Sequence, residues 1–135
     1  MGSTEHPRRA HVVILDDDRE MGAWLVDLLT EEGYRAEAYQ HGPEVLAALE
    51  RGSPDLLITD LVLDGMNGMD VLHRAKQHDP ALQIVMITAF GTMETAVTAM
   101  RLGALYYLTK PFKGADLLRL VERALEARSL RQDCS

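Results

Sequence analysis

The sequence contains a single cysteine, Cys134. One thiol excludes an internal disulfide and a cysteine-based zinc site, and it suits a reducing, cytoplasmic setting. Long apolar runs are also missing, and none approaches the roughly 20 residues of a membrane-spanning helix. The opening stretch MGSTEHPRRA has no apolar segment of the kind a signal peptide needs. Residues 1–10 are expected to be a disordered lead-in. Positive charge is in short supply, with 14 Lys and Arg against 21 Asp and Glu and a formal net charge of −7. Phosphate backbones are gripped by clustered Lys and Arg, so direct nucleic-acid binding by this domain is not expected. The five histidines, His6, His11, His41, His73 and His78, lack metal-ligand spacing. His73 and His78 miss the i, i+4 interval that places two imidazoles on one helix face. Internal repeats and low-complexity segments are absent.

What remains is an ordinary globular composition, 47% hydrophobic and 26% charged over 135 residues, enough for one domain with one good core. Val12-Val13-Ile14-Leu15 reads as a strand buried on both faces and ends on three carboxylates, Asp16, Asp17 and Asp18. A helix follows with Met21, Trp24, Leu25, Leu28 and Leu29 on one stripe, which predicts Trp24 in the core. Gly33 closes it. Tyr34–Tyr39 alternates like an edge strand, and Gly42-Pro43 opens a second helix carrying Val45, Leu46 and Leu49. A third strand, about 55–59, leads to Asp60. A helix over 66–77 then points Met69, Leu72 and Ala75 inward and stops at Asp79-Pro80. Leu82–Thr88 is another buried strand. The helix over 92–102 carries Met93, Ala96, Val97 and Met100 on one stripe, read as core. Leu105–Thr109 is the fifth strand, before Lys110-Pro111. The last helix, about 114–128, shows Leu117, Leu118, Val121, Ala124 and Leu125. Five strands alternating with five helices predict right-handed βα units and a parallel sheet with helices on both faces. Strand order does not follow from the pattern.

In a parallel sheet all strand C-termini share one edge, where ligands bind in open α/β folds. Four strands here end in polar groups: Asp16-Asp17, Asp60, Thr88 and Lys110. Clustered carboxylates repel one another, so they take up protons or a cation. An all-oxygen site with few protein ligands suits Mg2+, with Mn2+ as a substitute. A carboxylate nucleophile, a hard-metal site, a hydroxyl and a lysine are the parts phosphoryl transfer needs.

ILDDD, DLVLDGMNG, MITAFG and YYLTKPF, in this order and each at a strand end, resemble a bacterial two-component response-regulator receiver domain over about 11–128. The resemblance implies a flavodoxin-like, doubly wound α/β fold, a five-stranded sheet in the order 2-1-3-4-5 with five helices. It makes Asp60 the phosphoacceptor, taking a phosphoryl group from a phosphohistidine on a sensor histidine kinase or phosphotransfer protein. Such a domain is not an enzyme in its own right and assists only its own phosphorylation and dephosphorylation. Asp17 is implied as a direct Mg2+ ligand, with Asp16 acting through metal-bound water and the Val62 backbone carbonyl as a further ligand. Thr88 would bond a phosphoryl oxygen and move toward it. Lys110 would pair with Asp60 and then with the phosphate, across an expected cis bond to Pro111. Tyr107 matches an aromatic switch whose ring turns inward when Thr88 moves, and the small Ala89 leaves access to the acyl phosphate. In the family the fourth helix, fifth strand and fifth helix form the face that changes on phosphorylation and often dimerises.

Asp64 stands where the family usually has proline, which implies a looser turn. Val62 and Phe90 flank the attacking-water route and cannot orient a water, which implies slow self-dephosphorylation. Asp18 reads as a helix N-terminus rather than a ligand. The stretch AFGTMETAVTAMRLGALYYLTKPF is most similar to receivers of enhancer-binding transcription activators, and 129–135 would then begin a linker to an absent output domain. Two alternatives stay open. An aspartate-nucleophile, Mg2+-dependent phosphohydrolase of the haloacid-dehalogenase type would use Asp16 and Asp18. A dimerisation module that never accepts phosphate would use none of these groups.

Overall fold

The protein was analysed as a computed structural model that describes residues 10–63 and 65–134, with side chains described through residue 127. Asp64, His6 and most of the predicted lead-in fall outside the described residues. Among the described residues, seven strand segments and five helices follow one another: β1 (His11–Leu15), α1 (Arg19–Glu31), β2 (Arg35–Tyr39), α2 (Gly42–Arg51), β3 (Leu56–Asp60), β4 (Val62–Leu63), β5 (Met66–Asn67), α3 (Gly68–His78), β6 (Gln83–Thr88), α4 (Met93–Leu102), β7 (Tyr106–Thr109) and α5 (Gly114–Cys134). Five of the strands form one parallel sheet in the order β2-β1-β3-β6-β7. With the short β4–β5 pair left out of the numbering, this is the expected 2-1-3-4-5.

The continuous apolar runs of β1, β3 and β6 are explained by helices on both faces. Successive side chains alternate between two cores. Val13, Leu15, Leu57, Ile84 and Met86 meet α2, α3 and α4 on one side. Val12, Ile14, Leu56, Ile58, Val85 and Ile87 meet α1 and α5 on the other. Each such side chain, fully buried, contributes about 1.5–3 kcal/mol. These cores fix the strand tips, and hence the polar groups that follow them.

Several expectations need correction. Trp24 is 41% exposed, because the buried stripe of α1 runs through Gly22, Leu25 and Leu29 and leaves Trp24 on its shoulder. The indole leans instead on Phe112, with ring centroids 5.8 Å apart. On α4 the buried residue is Ala99, while Met93, Val97 and Met100 are 84%, 46% and 47% exposed. Its apolar stripe is therefore not a core stripe. Residues Met66–Asn67, expected to begin the third helix, instead pair antiparallel with Val62–Leu63 across a turn at Gly65, whose φ is +79°. Helix α3 starts at Gly68, capped by the Asn67 side chain on Met69 N at 2.8 Å. Helix α5 runs to Cys134 rather than stopping near Arg128.

Candidate functional site

The sheet register brings the tips of β1, β3, β6 and β7 to one edge. Asp16, directly after β1, is 1% exposed, Asp60 at the end of β3 is 6% exposed, and Thr88 at the end of β6 is fully buried. Thr88 pairs in register with Thr109, so Lys110 emerges beside it, and the Lys110 backbone N–H donates to the Thr88 carbonyl at 2.8 Å. The Lys110–Pro111 bond is cis, as the sequence implied.

The Lys110 ammonium sits between two carboxylates. Its Nζ donates to Asp60 Oδ2 at 2.8 Å and to Asp16 Oδ2 at 2.9 Å. The Asp60 partner was implied by the resemblance; the Asp16 partner was not expected, because chain order says nothing about which tip a flexible lysine will reach. The other oxygen of each carboxylate is also occupied: Asp60 Oδ1 accepts from Val62 N at 3.1 Å, and Asp16 Oδ1 accepts from Asp18 N at 2.9 Å. Burial pushes the Asp16 carboxyl above its ordinary range, against the opposing pull of Lys110. Burial alone would lower the Lys110 ammonium, but its bonds to Asp60 and Asp16 outweigh that and raise it.

Asp16, Asp17 and Asp60 each place a carboxylate oxygen within 4.8 Å of the others, with Asp17 exposed to solvent. Three acids against one lysine leave excess negative charge in a half-buried space. Hard oxygen donors in that arrangement fit a small divalent cation. Asp18 belongs elsewhere: its side chain accepts from Glu20 N and Met21 N and caps α1.

The Thr88 hydroxyl faces the following loop, accepting from Phe90 N at 3.0 Å. Tyr107 is half-buried, and its hydroxyl lies 2.8 Å from Thr95 Oγ1. Val62 and Phe90 are 48% and 69% exposed and, with Leu61, line one groove of about 1100 Å³. The tight approach at Gly68 also went unread in the sequence. A Cβ there would lie 2.2 Å from the Asp60 carbonyl oxygen, and Gly68 N donates to Leu61 O at 2.8 Å. The Gly in DGMNG was visible, but its contact with β3 is a tertiary fact.

The sequence model of the response regulator receiver domain matches residues 12–122. The chain belongs to that family. It is 37% identical over 118 residues to the DNA-binding transcriptional regulator NtrC of Salmonella typhimurium, covering 87% of this chain and 25% of that protein. The crystal structure of NtrX from Brucella abortus superposes with a TM-score of 0.88 at 32% identity, over 94% of this chain and 29% of that one. The beryllofluoride-activated NtrC4 receiver domain dimer gives 0.84 at 25% identity, over 87% of this chain and 98% of that one. The chain thus spans about a quarter of the length of the curated relatives it matches.

Proposed function

We infer that this chain is the phosphoacceptor domain of a two-component system. Asp60 takes a phosphoryl group from a phosphohistidine on a sensor histidine kinase or phosphotransfer protein. The observation that carries this reading is the Lys110 ammonium held between Asp60 and Asp16 at the mouth of the site. Asp60 Oδ1 or Oδ2 attacks phosphorus in line, the histidine nitrogen leaves, and the new acyl phosphate keeps Lys110 as its counter-ion. Mg2+ held by Asp16, Asp17, Asp60 and the Val62 carbonyl would neutralise charge on the transferring group. Thr88 turns its hydroxyl from Phe90 N to a phosphoryl oxygen.

Exposed apolar Val62 and Phe90 flank the acceptor and offer no hydrogen bond to an attacking water, which supports a long-lived acyl phosphate. The face of α4, β7 and α5 carries the response, and the exposed Met93, Val97 and Met100 supply apolar surface for a homodimer formed on phosphorylation. Similarity to NtrC favours an enhancer-binding transcription activator as the parent protein.

Incubation with acetyl phosphate and Mg2+ tests the reading by intact mass. One added phosphoryl group is expected, lost in Asp60→Asn. Loss in Asp16→Asn with retention in Asp60→Asn would favour a hydrolase-like nucleophile at the first strand. No adduct in the unaltered chain would leave a dimerisation module.

A further inference from the structure

At the start of α4 lies a polar cluster that phosphoryl transfer does not use. Helix α4 begins on a reciprocal cap in which Thr95 N donates to Thr92 Oγ1 at 3.1 Å and Thr92 N donates to Thr95 Oγ1 at 2.9 Å. The Thr95 hydroxyl also lies 3.0 Å from the Thr92 carbonyl and 2.8 Å from the Tyr107 hydroxyl. A hydroxyl has one proton and two lone pairs. The Thr95 oxygen accepts the Thr92 N–H, and either hydroxyl can donate across the Tyr107–Thr95 contact. With the proton in either place, the Tyr107 ring is fastened to the helix cap.

The same ring is seated against Gly91. A Cβ at position 91 would lie 2.8 Å from the Tyr107 hydroxyl oxygen and 3.0 Å from Cε1, so this seat exists because residue 91 has no side chain. Gly91 follows Phe90, whose N–H holds the Thr88 hydroxyl, and the Thr88 carbonyl holds the Lys110 N–H. Contacts thus run without a gap from Asp60 through Lys110 and Thr88 to Gly91, Tyr107 and Thr95.

We propose that Thr95 is a positioning residue of the switch: its hydroxyl locks the Tyr107 ring to the α4 N-cap, so that ring seating and the first turn of α4 open and close together. The lock is a property of the fold. That phosphorylation drives it rests on the functional reading above. Helix α4 is the element such a lock can move, since it buries little beyond Ala99.

Spatial continuity alone does not establish coupling, so the test measures it. Amide exchange is followed at Thr95 and Ala96, both of which donate to Thr92, in the unphosphorylated domain. Tyr107→Phe removes one O–H and leaves the Thr92–Thr95 cap intact. Exchange at both amides is expected to rise about three- to ten-fold, the effect of one net hydrogen bond. Thr95→Ser retains protection. In a Thr95→Ala background, Tyr107→Phe adds nothing further. Unchanged exchange in Tyr107→Phe, or additive effects of the two substitutions, overturns the proposal. Failure to form the acetyl-phosphate adduct would instead overturn the functional reading and leave the exchange result standing.

Discussion

Helices α3 and α4 lie on the same face of the sheet and are nearly equal in length, 11 and 10 residues, yet they are held differently. Helix α3 buries Gly68, Val71, Leu72 and Ala75 and is pressed onto β3 by the close approach of Gly68 to Asp60. Helix α4 buries Ala99 and turns Met93, Val97 and Met100 outward. What fixes its start is hydrogen bonding, through Thr92, Thr95 and Tyr107. Packing of this kind is costly to undo, whereas a few exposed hydrogen bonds open at low free energy. The helix beside Asp60 is thus the fixed one, and its neighbour is the one suited to move.

The contrast can be broken most directly in the core. Leu72→Ala should cost about 2–5 kcal/mol in chemical denaturation, while Val97→Ala should stay within about 0.5 kcal/mol. Similar losses at the two positions would remove the distinction between the helices. Next in size, Mg2+ at about 100 times its Kd should stabilise the chain by about 2.7 kcal/mol, and Asp60→Asn or Asp17→Asn should abolish most of that gain in a thermal melt. Gly68→Ala should cost about 1–3 kcal/mol by overpacking and should slow adduct formation, because the added methyl displaces the Asp60 backbone.

A smaller effect follows from the electrostatics of the fixed side. The Asp16 carboxyl is raised from its ordinary 3.8 by burial, so its ionisation disfavours the fold, and its contribution to stability falls as pH rises through the raised value. Lys110 is raised above 10.5 by its two carboxylate partners, so its contribution holds below that pH and is lost above it. Asp16→Asn should therefore lose less stability than the parent chain as pH is raised from about 4 to 7 without Mg2+. A steeper loss in the variant would show that the Lys110 pairing, not burial, dominates at Asp16. Least of all, Met100→Ser should leave the melting temperature almost unchanged and weaken self-association of the phosphorylated domain, read by sedimentation.

Much of this protein was legible in its sequence because the signals are local. Unbroken apolar runs specify two-sided strands, Pro43 and Gly33 punctuate helices, and the acids, Thr88 and Lys110 each follow a strand directly. Trp24 and the α4 stripe misled for one reason. Helical periodicity says which residues share a side, but not how wide a strip the sheet covers. At α1 the strip is narrow and Trp24 falls on its edge. At α4 the apolar side turns away from the sheet. The β4–β5 pair was hidden because two-residue strands carry no period at all.

By itself, then, the sequence determined the alternation of strands and helices and the set of polar groups at one sheet edge, since each depends on neighbours along the chain. Tertiary structure alone decided that Lys110 bridges Asp16 and Asp60, that Gly68 admits the Asp60 backbone, and that Tyr107 bonds to Thr95. Those contacts join side chains from separate strands and helices, and their distances are set by how the two cores pack against the sheet.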